Sequence, residues 1–98
     1  MRKNLYVTCA AIHYDTKKYY PFQQPVNIDH GIVVCGWNHR HCLVMGRMAQ
    51  IPKRTKRTLG FITSRREFID PVKAAEIALK AGQIPPEEWA EGAELYVL

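Results

Sequence analysis

The stretch 60–83, Gly-Phe-Ile-Thr-Ser-Arg-Arg-Glu-Phe-Ile-Asp-Pro-Val-Lys-Ala-Ala-Glu-Ile-Ala-Leu-Lys-Ala-Gly-Gln, constrains the fold of this chain more than any other. It reads as a strand over 60–63, a polar turn, a second extended piece over 67–69 and a helix over 71–81. Asp70 is an N-cap, because its carboxylate can accept hydrogen bonds from the free N–H groups of the first helical turn. Pro71 stands at the first helical position, where its missing N–H costs nothing. Gly82 supplies the left-handed residue that commonly closes a helix. Within this helix Lys73, Glu76 and Lys80 share one narrow stripe, and every other position after Pro71 is Val, Ala, Ile or Leu. A helix apolar around most of its circumference is buried on several sides, so it is expected to meet a neighbouring subunit as well as its own sheet.

The rest of the chain is read around this unit. Ninety-eight residues suffice for one domain with a single modest core. The β-branched and aromatic run over 5–12 predicts a first strand. A polar turn over 14–18 then leads into a second strand through Tyr19, Tyr20 and Phe22, with Pro21 and Pro25 marking its end or an edge. Asn27 or Asp29 can cap a helix from about Ile28 with Ile32, Val33 and Trp37 facing the core, although Ile32-Val33-Val34 suits a strand equally. The stretch 43–49 fits helix or strand, 52–58 is a charged loop, 84–89 is a turn with a short helical segment, and 94–98 is a last strand. Together these predict an α+β fold: a small antiparallel sheet with two helices on one face, assembled as a homodimer or larger.

Charge divides the chain unevenly. Residues 30–66 hold eight Arg or Lys and not one Asp or Glu, whereas 67–98 hold seven acids against Lys73 and Lys80. A basic surface concentrates phosphate-bearing partners; equally, the two segments can attract each other within or between chains. No apolar run approaches the ~20 residues of a membrane helix. The Met-Arg-Lys-Asn start is followed by interrupting polar residues rather than a signal-peptide core, which predicts a cytoplasmic protein. Three cysteines without framework spacing fit free thiols in a reducing compartment.

Catalytic machinery is sparse. Cys35, His39, His41 and Cys42 supply the atom types of a zinc site, but adjacent His41 and Cys42 point apart on any regular element, so no metal is assigned. Cys9, Cys35 or Cys42 could act as a nucleophile with any of four histidines, yet no strained elbow supports one, and neither a P-loop nor a dinucleotide fingerprint is present. Phosphate binding has more behind it. Thr63, Ser64, Arg65 and Arg66 combine hydroxyls, turn amides and two guanidiniums near the expected helix N-terminus, and guanidinium forks hold phosphate through paired hydrogen bonds. Phe61, Phe68, Tyr19, Tyr20 and Trp37 can stack a base; the alternative places Phe61 and Phe68 in the core. The run 53–57 is either a solvated loop or a clamp on a nucleic-acid backbone.

The pattern Gly-Phe-Ile-Thr-Ser-x-x-x-Phe-Ile-Asp, followed by Ala-Ala-x-Ile-Ala-x-x-Ala-Gly-Gln, resembles a group of small phage and prophage proteins, the Thoeris anti-defence sponges. The likeness covers 60–83 best, 5–32 less well, and is absent over 36–58 and the C-terminus. It implies a homo-oligomer, from a dimer up to a hexamer, working in the host cytoplasm without a cofactor. It also implies sequestration, not cleavage, of a cyclic nucleotide immune signal of the cyclic ADP-ribose or cyclic oligonucleotide type. Carried onto this sequence, the resemblance implies ligand contacts at Phe61, Thr63, Ser64 and Arg65, with Asp70 and Gln83 beside them; the charge reading adds Arg66 and Arg40. The competing expectation is a nucleic-acid-binding or host-protein-inhibiting module that uses the basic segment 40–66 as a surface.

Overall fold

The computed structural model describes residues 5–19 and 25–95. Four strands form one antiparallel sheet: β1 Val7–Tyr19, β2 His30–Gly36, β3 Arg57–Thr63 and β4 Phe68–Ile69, in the order β2-β1-β3-β4. Two helices accompany it, α1 His39–Met48 and α2 Pro71–Lys80, and a short 3-10 turn spans Pro86–Glu88. The α+β expectation is met.

Alternation along β1 explains the layering. Side chains of successive strand residues point to opposite faces. Ala10, Ile12 and Tyr14 of β1 join Phe61 of β3, Cys42 of α1 and Ala74, Ala75, Ile77 and Ala78 of α2 in one buried cluster. Cys9, Ala11 and His13 therefore look out on the opposite, helix-free face, where Phe68 packs edge-on to His13.

The expected α2 is present almost to the residue. Asp70 Oδ1 accepts from the Lys73 N–H at 2.7 Å, Pro71 opens the helix, and Gly82 takes φ +77 after its end. Its broad apolar surface is covered from within the chain: Ile84, Trp89 and Leu95 pack against the core, and the Leu95 N–H bonds the Pro71 carbonyl at 2.9 Å. The predicted need for a neighbouring subunit at this helix is thus met by the C-terminal segment. That segment is turn and coil through Leu95 rather than strand, and Tyr96–Leu98 lie outside the described residues.

Two expectations fail, each for a local reason. The polar turn over 14–18 is instead the outer half of a 13-residue β1. Tyr14 is only 7% exposed, the Asp15 N–H bonds the Lys56 carbonyl at 2.8 Å, and Lys17 at φ +67 lies within a pairing irregularity between Tyr14 and Tyr19. Polar residues there reflect an exposed strand end, not a turn; Tyr20 and Phe22 fall outside the described residues. The helix expected from Ile28 is β2, so the strand alternative for Ile32-Val33-Val34 holds, as β-branched residues favour. Asn27 caps no helix. Its side chain clasps Phe68 instead, Nδ2 donating to the carbonyl and Oδ1 accepting from the N–H, both at 2.8 Å.

The second helix of the fold is α1, which covers most of the stretch 43–49 read as helix or strand but begins four residues before it, at His39. Asn38 Oδ1 accepts from the His41 N–H at 2.9 Å to cap its start. Gln50, at φ +61, turns the chain out of it, with the Ala49, Gln50 and Ile51 N–H groups bonding the carbonyls of Met45, Arg47 and Gly46. The Lys53–Lys56 stretch is loop as expected, with strand resuming at Arg57.

Candidate functional site

The β3–β4 turn is tightly wired from within. Thr63 is 1% exposed, and its Oγ1 accepts from the Arg65 N–H at 3.2 Å and the Glu67 N–H at 3.3 Å. Ser64 Oγ accepts from the Tyr6 N–H at 3.1 Å, while the Ser64 N–H bonds the Tyr6 carbonyl. Arg66 holds φ +63, and its carbonyl accepts from the Val26 N–H. The hydroxyls and several amides expected to meet a ligand therefore shape the turn itself. Only the side chains of Arg65 and Arg66 stand free in solvent, both exposed and without an ion pair among the described residues.

The other expected contacts disperse. Phe61 is 0% exposed; its ring lies in the core, edge-on to His39 with centroids 4.9 Å apart, which is the core alternative rather than a stacking platform. Asp70 is engaged as the cap of α2. Gln83 makes a two-point bond to Val7, Oε1 accepting at 2.9 Å and Nε2 donating at 2.8 Å. That bond fixes the direction of α2. Val7 pairs with Thr63, so the end of α2, not its start, lies beside the basic turn. β4 carries the chain away before Asp70 caps the helix, and the expected pairing of turn and helix N-terminus is not made. Arg40 belongs to the first turn of α1, which packs on β1 and β2.

The cysteine–histidine cluster also separates. Cys42 is fully buried, and burial, then the nearby Cys9 sulfur, pushes its thiol up to about 11. His39 Nε2 donates to the Gly60 carbonyl at 2.8 Å, and His41 Nδ1 accepts from the Trp37 N–H at 3.1 Å. No group of three or more ligating side chains gathers for a metal among the described residues.

What the structure does assemble is a basic groove at the C-terminal end of α1. A depression of about 300 Å³ is bounded by Tyr14, Gly46, Arg47, Ile51, Lys53 and Arg57, and no carboxylate lines it. Gly46 is required here by packing, because a Cβ would sit 2.5 Å from the Tyr14 hydroxyl, so the Tyr14 ring lies across the helix and floors the groove. Arg47, Lys53 and Arg57 are all exposed and make no ion pair among the described residues. The partial negative charge of a helix C-terminus, a matter of about 0.3–1 kcal/mol, is blunted by the three amides that cap α1. Sequence reasoning saw Lys53 and Arg57 as a loop clamp but missed Arg47 and Tyr14; the Asn38 cap was the signal that places Arg47 on a helix.

A second feature missed is a carboxylate–imidazole cluster at the outer end of β1. His30 Nδ1 donates to Asp29 at 2.7 Å, with Asp15 at 3.6 Å from its Nε2, and His13 Nε2 donates to the His30 carbonyl. The hydrogen bond from His30 holds the Asp29 carboxyl below its ordinary value. Burial opposes the charge on Asp15, but hydrogen bonding and charge from Lys17, with His30, outweigh it and lower that carboxyl too.

Against known families, the model of the phage T4 y16D protein matches residues 6–97, nearly the whole chain. The chain belongs to this phage protein family. No curated protein and no solved structure matches it. The y16D match spans the basic groove, the β3–β4 turn and both helices together, so all are parts of one family unit. No helix among the described residues is long and apolar enough to cross a membrane.

Proposed function

We propose that this phage protein captures a phosphate-bearing nucleotide without cleaving it, in the groove formed by Tyr14, Arg47, Lys53 and Arg57. The observation that carries the reading is the convergence of three exposed cations on one depression with no carboxylate in its lining. Two guanidiniums and an ammonium are the donors that phosphate oxygens prefer. The Tyr14 ring, with its hydroxyl at the groove, gives an aromatic edge and a hydrogen-bonding group for the sugar or base. The resemblance to Thoeris anti-defence sponges supplies the ligand class, a cyclic ADP-ribose derivative or cyclic oligonucleotide, and the form of action, sequestration. An open groove of this size encloses only part of such a ligand, so the sponge reading includes a second copy of the chain closing over it. Arg65 and Arg66 then act at the rim or not at all.

A second reading, binding to a nucleic-acid backbone, is favoured by one further observation. All eight basic side chains of 40–66 are exposed, well beyond the three that frame the groove. Counterion release would then dominate, and removing Arg47, Lys53 and Arg57 together would flatten the salt dependence of binding by about 2–3 in log–log slope.

Calorimetric titration with cyclic ADP-ribose isomers, cyclic di- and trinucleotides and a single-stranded DNA oligonucleotide tests both. Saturable binding of one small member, with the ligand recovered intact after heat denaturation, supports capture. Heat only with the oligonucleotide moves the function to the second reading. An altered product would make the protein an enzyme, and no binding by any member would overturn both.

A further inference from the structure

The charge imbalance of the sequence is not resolved within the chain. All eight Arg and Lys of 30–66 are exposed, and none pairs with an acid. The three ion pairs among the described residues join Asp15 and Asp29 to Lys17 and His30. Glu87, Glu88, Glu91 and Glu94 are likewise exposed and enter no ion pair. The attraction between the basic and acidic segments is therefore left for a contact between chains.

Two surfaces fit such a contact. Along α1, Arg40, Val44 and Met48 follow at intervals of four and so share one side of the helix. The helix buries Cys42 and Gly46, whereas Arg40 and Val44 are exposed and Met48 is 72% exposed. Trp37, 84% exposed, stands just before this stripe, Arg47 edges it, and α1 contains no acid. Like charges opposed across an interface are costly, so a second α1 is a poor partner for this face. The complement lies beyond α2. A hollow of about 150 Å³ is lined by Ala75, Ile84, Trp89 and Leu95 together with Glu88 and Glu94. In its wall, Trp89 keeps a buried Nε1–H with no acceptor among the described residues. Methionine is unbranched and fills irregular gaps, and its sulfur is a weak hydrogen-bond acceptor.

We propose that α1 of one copy docks on this hollow of a second copy of the chain, with Met48 entering it and Arg40 and Arg47 meeting Glu88 and Glu94. The partner is the chain itself, joined basic face to acidic face, and the contact needs no nucleotide. Exposed ion pairs contribute little apiece. Burial of Met48 supplies the attraction, while the charges set the orientation and disfavour pairing of two α1 helices. Two copies can make the contact reciprocally, or several can close a ring.

Sedimentation velocity of the full chain without nucleotide, over a concentration series, tests the contact. The wild type is expected to sediment as an assembly at low salt. It should shift toward the monomer in about 1 M sodium chloride, where the screening length falls to about 3 Å. Met48→Asp sets a further carboxylate against Glu88 and Glu94 and should raise the dissociation constant at least about tenfold. Arg40→Glu and Glu88→Lys should each weaken assembly about tenfold when alone. An equimolar mixture of those two variants should recover it, because each reversed charge then meets its opposite. All three positions are exposed, so the variants should keep the wild-type circular dichroism. A monomer at every concentration, an assembly indifferent to salt and to Met48→Asp, or a mixture no more associated than either variant alone would overturn the proposal.

Discussion

The β3–β4 turn and the C-terminal end of α1 are both basic, but they differ in what their polar groups are engaged in and in whether the cations surround a depression. At the turn, Thr63 Oγ1, Ser64 Oγ and the backbone of Arg66 are engaged in holding residues 63–67 to one another and to Tyr6 and Val26. At the end of α1, Arg47, Lys53 and Arg57 surround a depression floored by Tyr14, and the capping bonds of the helix are made by backbone amides alone. A hydroxyl-and-arginine pattern in sequence thus describes a turn that stabilises itself as readily as one that binds. The difference lies in which polar atoms remain unengaged after the local hydrogen bonds are made.

The comparison can be broken most forcefully at Phe61. Its ring is wholly buried, so Phe61→Ala is expected to cost about 3–5 kcal/mol of stability, seen as a large fall in the urea midpoint. A stably folded variant that had lost only nucleotide binding would return Phe61 to the site. Thr63→Val keeps the volume and removes the acceptor of two turn amides. It should cost about 1–3 kcal/mol, with faster hydrogen exchange confined to the Arg65 and Glu67 amides. Asp70→Ala should cost about 1 kcal/mol by removing the cap of α2, measured as a lower midpoint with binding unchanged in the folded protein. The smallest effect is expected for Arg65→Ala. An exposed side chain without a partner should change stability by no more than about 0.5 kcal/mol, and nucleotide affinity should stay within twofold of the wild type.

Legibility followed the range of the determining contacts. Helix α2 was readable because Asp70, Pro71 and Gly82 act within a turn of the backbone they shape. Helix α1 was obscured by its composition, since His39, Arg40 and His41 open it and Gly46 interrupts it. Yet Gly46 is there because Tyr14, more than thirty residues earlier, needs the space. The outer half of β1 looked like a turn because its residues are solvated strand positions paired on one side with the loop before β3. The core placement of Phe61 depends on α1 and β1 arriving from elsewhere. Of the site, the charge was visible and the grouping was not: Arg47, Lys53 and Arg57 come from a helix, a loop and a strand.

The most direct measurement is a two-dimensional amide NMR titration of the full chain with pyrophosphate, the simplest bridged phosphate of a nucleotide. The groove account predicts saturable shifts at Gly46, Arg47, Ile51, Lys53 and Arg57, with the amides of 64–67 unmoved. Shifts centred on 64–67, or no saturable shift anywhere, would contradict it.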